Sequence, residues 1–382
     1  MSIQTGNNIV TKKGLAIIYD PHNLYQFVWY YCNNDNSRKE WDALCLPNGY
    51  KGEYMHSFCE KAGIFSKVYA DDKDYQTVSA AKKIGLAFGM IMFFIFGRRR
   101  NYCKRLLKEY VSIDDYDEIV IIADVGIVSG ACVSLGQEKK VVILEDGIND
   151  YSCRSKWIQK NKIKSLYAWQ GFIMSRMGYC APGWYYLKDD SFCIKYASQP
   201  EKMIYKNYKE TRLLYSKEGT DLQAFDAIIK RIYPAIASIN FENIDAIVFT
   251  RPLDDFVKEY SPYKKRFEKY ISSKYRNILV KKHPREKDTY IFDSGVKSIE
   301  VDNSIPAEVL LPYLSGKDVL IVTTSAISLY MKSYQLRCKI LFFDKLYEES
   351  IKENTKFKPL SLEETRQYCE KFASDCYDLV II

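Results

Sequence analysis

Three short runs of this 382-residue chain carry side chains able to move a proton or hold an anion. The first is Glu145-Asp146-Gly147, directly after the apolar run Val141–Leu144. A carboxylate at a strand tip can take a proton from a hydroxyl, an adjacent acid raises its pKa, and glycine permits a tight turn close to a substrate. The second is Lys281-Lys282-His283-Pro284-Arg285. Proline fixes the backbone after the histidine, whose imidazole can donate to a phosphate oxygen or protonate a departing one while neighbouring cations offset charge. The third is Thr323-Thr324-Ser325, ahead of a helix expected near Ala326, where hydroxyls and free amides make an anion site. Glu308, on a short helix expected at 306–311, can accept both hydroxyls of a ribose. Each run also has an ordinary structural reading: a solvent-facing turn, a histidine satisfied at a strand end, a helix cap, an exposed helix-start glutamate. Taken together they ask for one chemistry, transfer of a group from a nucleotide to an acceptor hydroxyl.

The elements that must position these groups follow from hydrophobic patterning. Strands are expected at 14–19, 65–69, 118–123, 141–144, 191–196, 246–250, 277–281, 319–322 and 339–343. Helices are expected at 54–61, 221–232, 263–273 and 362–373. The first strand runs into Asp20-Pro21-His22-Asn23, read as a loop in which His22 either meets a substrate or is bonded locally. Asp124 and Gly126, after another strand, are second-rank candidates of the same kind. Strand, turn, helix, strand is the grammar of parallel sheets covered by helices, and ligands bind beyond the carboxyl ends of such strands. The pattern restarts near Ile244, so two α/β domains are expected with a seam near 235–243. Ile84–Gly97 holds no charge and is followed by Arg98-Arg99-Arg100. As a helix it spans about 21 Å, short of a bilayer core of roughly 30 Å. A buried core helix, an interfacial helix and a span are its three readings.

Composition narrows the class. Hydrophobic residues make up 47% and charged residues 27%, as in an ordinary folded chain. Fifty-six basic against 48 acidic residues leave a formal charge of +8, compatible with an acidic substrate or an anionic membrane surface. Both signs are mixed along the chain and no nucleic-acid signature is present, so no nucleic-acid partner is expected. Eleven scattered cysteines without a CxxC pair point to a reducing compartment, and only three histidines argue against a histidine-built metal site. Met1–Lys13 does not resemble a secretory signal. Gly-x-Gly-x-x-Gly after the first strand, Gly-x-x-x-x-Gly-Lys-Ser/Thr and Gly-x-Ser-x-Gly are all missing, which removes the usual marks of dinucleotide redox enzymes, P-loop hydrolases and serine hydrolases.

The motif set resembles the bacterial sialyltransferases of the GT-B fold, including the lipooligosaccharide enzymes and the capsular polysialyltransferases. Their acidic Asp/Glu-Asp/Glu-Gly motif matches Glu145-Asp146-Gly147, their His-Pro motif matches His283-Pro284, and their Ser/Thr motif matches Thr323-Thr324-Ser325. Thr250-Arg251-Pro252-Leu253, Ser304-Ile305-Pro306-Ala307-Glu308 and Ser325-Ala326-Ile327-Ser328 are similar to further segments of the family's donor domain. The matches cover about residues 145 to 330, and the spacing from Glu145 to His283 is especially like the polysialyltransferase branch.

This resemblance implies an α/β GT-B fold, two Rossmann-like domains with parallel sheets facing across a cleft. Residues 1–240 would form the acceptor domain with the base, 241–355 the donor domain, and 356–382 a helix and tail returning toward the N-terminal domain. It implies an inverting transfer of sialic acid from CMP-sialic acid to a glycan hydroxyl, in capsule (polysialic acid) or lipooligosaccharide synthesis. No cofactor and no divalent metal are expected. Glu145 would be the base with Asp146 holding the loop, or the reverse; the family's usage favours Glu145. His283 would stabilise or protonate the leaving phosphate, and Pro284, Lys282, Gly147, Thr323, Thr324 and Ser325 would serve donor binding, with Glu308 on the ribose. An acidic oligosaccharide or lipid-linked glycan is the expected acceptor. The chain would work in the cytoplasm, with peripheral contact to the inner membrane and capsule assembly proteins. The alternatives are a related GT-B transferase of another activated sugar or polyol phosphate, and a non-catalytic assembly protein on the same scaffold.

Overall fold

A computed structural model describes residues 12–33, 36–46, 52–70, 104–105, 107–122, 127–133, 135–136, 138–145, 147–151, 192–203, 208–283, 285–323, 326–355, 358–373 and 375–382. They fall into two compact units, Met1–Ile232 and Tyr233–Ile382. The expected helix over 84–97 and its arginines lie outside the described residues, as do Asp124 and Gly126. Among the described residues no helix is long and apolar enough to cross a membrane.

In the first unit, strands β1 (Lys13–Ile18), β2 (Glu40–Cys45), β3 (Lys67–Ala70), β4 (Glu118–Ile122), β5 (Lys140–Leu144), β6 (Ile194–Ala197) and β7 (Glu210–Leu213) form one sheet. Its order is β3-β2-β1-β4-β5-β6-β7, and each of these neighbouring pairs is parallel. The second unit repeats the scheme. Strands β8 (Ala246–Phe249), β9 (Asn277–Lys281), β10 (Lys297–Val301), β11 (Asp318–Val322), β12 (Cys338–Phe342) and β13 (Tyr377–Ile381) take the order β10-β9-β8-β11-β12-β13, again all parallel. Each order reverses once, between β1 and β4 and between β8 and β11. That reversal is where the connections leave a gap at the carboxyl ends of the strands. Two doubly wound sheets of this order are the two Rossmann-like domains expected of a GT-B chain.

The central strands are apolar on both faces because helices cover both. Leu15, Ile17, Ile119, Ile121, Val141 and Ile143 form one buried layer with Ala131 and Cys132, while Ala16, Ile18, Val120 and Val142 are buried on the opposite face. In the second unit Ala246, Val248, Ile278, Val280 and Leu320 meet Phe267 and Ile271 of helix Ser261–Lys274. The outer strands β7 and β10 are mostly exposed and carry charges, which discourages pairing with further strands.

The run after β1 is not the expected loop. Pro21–Cys32 is a twelve-residue helix. Asp20 caps it by accepting from the Asn23 amide at 2.8 Å, and Pro21 occupies a first-turn position whose missing N–H costs nothing. The helix packs on Leu222–Ile232, whose buried Phe225, Ile228, Ile229 and Ile232 make a single stripe. Four strands also lie where sequence patterning predicted none: β2, β7, β10 and β13. The helix expected at 306–311 is a 3₁₀ helix over Ala307–Tyr313, and the one expected near Ala326 begins as a 3₁₀ turn over Ala326–Tyr330. Helix Leu362–Phe372 starts with a capping box between Ser361 and Glu364, and β13 extends the second sheet beside β12.

One close approach fixes the centre of the first sheet. Gly14 on β1 pairs with Trp41 on β2, and a Cβ at position 14 would lie 2.4 Å from the indole ring. The indole is itself held, since Nε1 donates to the Asn36 carbonyl at 2.8 Å. Gly14→Ala should therefore cost about 1–3 kcal/mol in urea unfolding, and combining it with Trp41→Leu should cost less than the two single changes summed. Strict additivity would show that the indole is free to move aside.

Candidate active site

Glu145 is the first residue beyond β5, where the sheet ends and backbone groups lose their strand partners. It is fully buried. The β5–β6 pairing sets Leu144 beside Tyr196, so the residues just past β6 reach the Glu145 side chain. Oε2 accepts three hydrogen bonds: from Tyr151 Oη at 2.6 Å, the Ser198 amide at 2.7 Å and Ser198 Oγ at 2.8 Å. Oε1 is buried without a partner among the described residues. The carboxylate is thus anchored through one oxygen, while the other, buried as well, keeps its acceptor capacity unused among the described residues. Its backbone carbonyl accepts from Gln26 Nε2 at 3.1 Å, tying the strand tip to helix Pro21–Cys32.

Burial pushes the Glu145 carboxyl up to about 7, against the lowering effect of the Ser198 amide and the Tyr151 hydroxyl; nearby Asp150 adds to the rise. Such a group is partly ionised at neutral pH and still basic enough to accept a proton. Tyr151 is held far above its ordinary value by burial and by Glu145, and stays a hydroxyl donor. The turn Gly147–Asp150 brings Tyr151 back to the carboxylate. Gly147 has φ +51°, the left-handed region that glycine enters without strain. Beneath it, buried Lys195 on β6 pairs with buried Asp150 at 2.9 Å.

The second unit brings its candidates to the ends of β8, β9 and β11. His283 stands two residues past β9, half-buried, and its Nδ1 accepts from the Arg285 amide at 3.2 Å. Burial, Arg285 and Arg251 depress its pKa below 6.5. Sequence reading gave Lys282 to the donor. In this structure its ammonium pairs with Glu300 on β10 at 2.6 Å and donates to the Asp288 carbonyl at 3.2 Å. Arg285 is likewise engaged, by Asp255 through bonds of 2.8 and 3.2 Å. Lys281 is the buried lysine of the run. Its Nζ reaches the Lys282 and Asn303 carbonyls at 3.2 and 3.4 Å. Burial pulls its pKa down to about 8 against the opposing charge of Glu308. Glu308 is half-buried in the first turn of Ala307–Tyr313, close enough for that charge to be felt.

Thr323, one residue past β11, is buried with φ +59°, an uncommon and strained conformation for a β-branched residue. Its Oγ1 has no hydrogen-bond partner among the described residues. A buried hydroxyl left unpaired at a strand tip costs about 1–3 kcal/mol and suits a group that a ligand completes. Asp146, Pro284, Thr324 and Ser325 lie outside the described residues. His22 sits half-buried in the first turn of Pro21–Cys32 rather than in a loop. Ser198 and Tyr151 escaped sequence reading. Ser198 nonetheless has the same signature as Glu145, a polar residue directly after a buried strand.

The Glu145 environment makes a test independent of activity. An ordinary glutamate, as in the unfolded chain, ionises near 4.5, and this one near 7 when folded. Its folded-state pKa is raised, so its contribution to stability is complete below pH 4.5, falls as pH climbs through 7, and is absent above. The loss is on the order of 3 kcal/mol. Glu145→Gln lacks this loss, so its melting temperature relative to wild type should rise between pH 5 and pH 8. A difference that stays flat would mean the carboxyl ionises normally.

Among solved structures, the chain resembles a sialyltransferase from Photobacterium damsela at 10% identity, covering 97% of this chain and 81% of that one, with a TM-score of 0.45. It also resembles UDP-N-acetylglucosamine 2-epimerase from Rickettsia bellii (12% identity, 86% and 78% covered, TM-score 0.44) and MurG from Acinetobacter baumannii (9%, 97% and 86%, TM-score 0.42). No curated protein sequence matches the chain. A family model does: it describes alpha-2,8-polysialyltransferases and matches residues 129–336, more than half the chain, from ahead of β5 to just short of β12. The chain belongs to the alpha-2,8-polysialyltransferase family.

Proposed function

We propose that this chain moves sialic acid from CMP-sialic acid to a hydroxyl of a sialic-acid-terminated glycan, with inversion and without a divalent metal. The observation that carries the reading is the Glu145 carboxylate at the tip of β5, anchored through Oε2 with Oε1 unpartnered among the described residues. In this reaction the acceptor hydroxyl oxygen forms a bond to the anomeric carbon while the bond from that carbon to the phosphate oxygen breaks. The hydroxyl proton passes to Glu145 Oε1, and CMP leaves. His283 donates a hydrogen bond to the leaving phosphate, Thr323 supplies a buried hydroxyl to it, and Glu308 takes the ribose hydroxyls. One in-line displacement inverts the anomeric centre, and a base with a polarised leaving group is sufficient for it. Family membership supports sialic acid as the transferred sugar. The acceptor is then a growing polysialyl chain of a capsule or a lipid-linked glycan at the cytoplasmic face of the inner membrane. The basic run Arg98-Arg99-Arg100 supports contact with such an anionic surface.

Thermal-shift titration of the purified chain with CMP, CDP, UDP, GDP and ADP, in EDTA and then in magnesium, tests the donor. CMP alone should stabilise, equally in both conditions. Preference for a nucleoside diphosphate would overturn the donor assignment. Glu145→Gln and His283→Ala should each lower transfer by about 10²–10⁴-fold while remaining folded. Full activity in both would end the assignment.

The pH profile tests the base. Rate should rise with pH through about 7 as Glu145 ionises. The Ser198 amide and hydroxyl both lower that pKa, so Ser198→Ala should move the rising limb to higher pH. An unmoved limb would assign the ionisation to another group.

A further inference from the structure

The chain after His283 is held by a buried carboxylate that the chemistry above leaves unused. Glu286 is 5% exposed. Oε2 accepts from the Thr250 hydroxyl and Oε1 from the Tyr290 hydroxyl. Thr250 directly follows β8, with its amide donating to the Lys281 carbonyl at 3.1 Å. Tyr290 is fixed by an edge contact to Phe267 at 5.1 Å. The Glu286 amide closes the turn onto the His283 carbonyl at 2.8 Å. Within it the Arg285 amide donates to His283 Nδ1, and the Arg285 guanidinium is clamped by Asp255. A backbone amide can only donate, so the nitrogen receiving it is bare and a neutral ring must carry its proton on Nε2.

We propose that Glu286 is a positioning residue that staples the His283–Glu286 turn so that His283 presents Nε2–H to the leaving phosphate. The assignment to phosphate rests on the reading under Proposed function; the stapled ring state does not. Two hydroxyls from separate segments converge on one carboxylate, which fixes the turn against β8 and against the Tyr290 segment together. The charged groups facing the ring are Arg285, Arg251 and Lys281 against Asp255 alone, and they oppose a second proton on it. The histidine then acts as a fixed neutral donor instead of an imidazolium acid. Glutamine at 286 preserves the staple, because its carbonyl accepts from one hydroxyl and its amide donates to the other.

Nitrogen NMR of the full chain labelled with [¹⁵N]histidine tests this, and three histidines keep the spectrum simple. His283→Asn assigns the resonance. At pH 7.5 His283 should show a protonated Nε2 and a bare Nδ1 in wild type and in Glu286→Gln. In Glu286→Ala the ring should exchange between tautomers, and its titration midpoint should rise toward the ordinary 6.5. The kcat of Glu286→Ala should fall about 100-fold with KM for CMP-sialic acid changed less than about threefold. If Glu286→Ala does not fold, Thr250→Val and Tyr290→Phe each remove one bond and should shift the ring in the same direction. A protonated Nδ1 in wild type at pH 7.5, or ring signals unmoved in all of these variants, would overturn the proposal. The expected ring state in a chain that transfers no sialic acid would sink the reading under Proposed function and leave the staple standing.

Discussion

A strand covered on both faces has no place for an unpaired charge except its end, and this constraint locates the chemistry of the chain. In β4, β5, β8 and β11 nearly every residue is buried, so the first polar side chain to escape the layers appears at the carboxyl tip. Glu145, Thr250 and Thr323 are such residues, and His283 follows at the same level beyond β9. The order of each sheet, reversing once at its centre, gathers these tips around a gap between connections. The helices serve that arrangement. Pro21–Cys32 covers one face of the first sheet and sends Gln26 to the Glu145 carbonyl.

Burial at the tips moves three titratable groups in the direction that removes charge. It raises the Glu145 carboxyl to about 7, lowers the Lys281 ammonium to about 8 and depresses the His283 imidazole. Acid, amine and imidazole are brought toward neutrality from both sides. The carboxyl and the amine then exchange protons near physiological pH with little driving force lost, while the imidazole is held neutral. The more exposed cations of the same region are neutralised differently, by ion pairs: Lys282 with Glu300, Arg285 with Asp255.

The extent to which sequence reveals this depends on whether one segment or several create the feature. Strands β1, β4, β5, β8, β9, β11 and β12 announce themselves as apolar runs, and Glu145, His283 and Thr323 are legible as the polar residues that end or follow such runs. β2 is masked by Asp42, a carboxylate in mid-strand that is fully buried because Lys13 pairs with it at 2.9 Å and Tyr116 donates to it at 2.7 Å. The edges β7 and β10 are polar and exist as strands because a neighbour supplies the hydrogen bonds, whereas β13 is apolar apart from Asp378 and a tyrosine hydroxyl. Asp20-Pro21 carries a full helix-start signal that equally describes a turn. Ser198 and Tyr151 reach Glu145, and Thr250 and Tyr290 reach Glu286, only through pairing between distant segments. The ammonium of Lys282, next to His283 in sequence, likewise finds its ion-pair partner on a distant strand, Glu300 of β10.

The held turn after β9 also bears on engineering. The run from Lys281 to Glu286 reads as a portable cationic motif, but its properties are borrowed from elsewhere in the second unit. Asp255 cancels Arg285, Glu300 cancels Lys282, and Thr250 and Tyr290 hold Glu286. Grafted alone onto another parallel sheet, the run would arrive as a mobile, strongly positive loop with an unsatisfied acid and an imidazole free to take either tautomer. The transferable unit is the turn together with the ends of β8 and β10 and the segments bearing Asp255 and Tyr290, most of one half of a sheet.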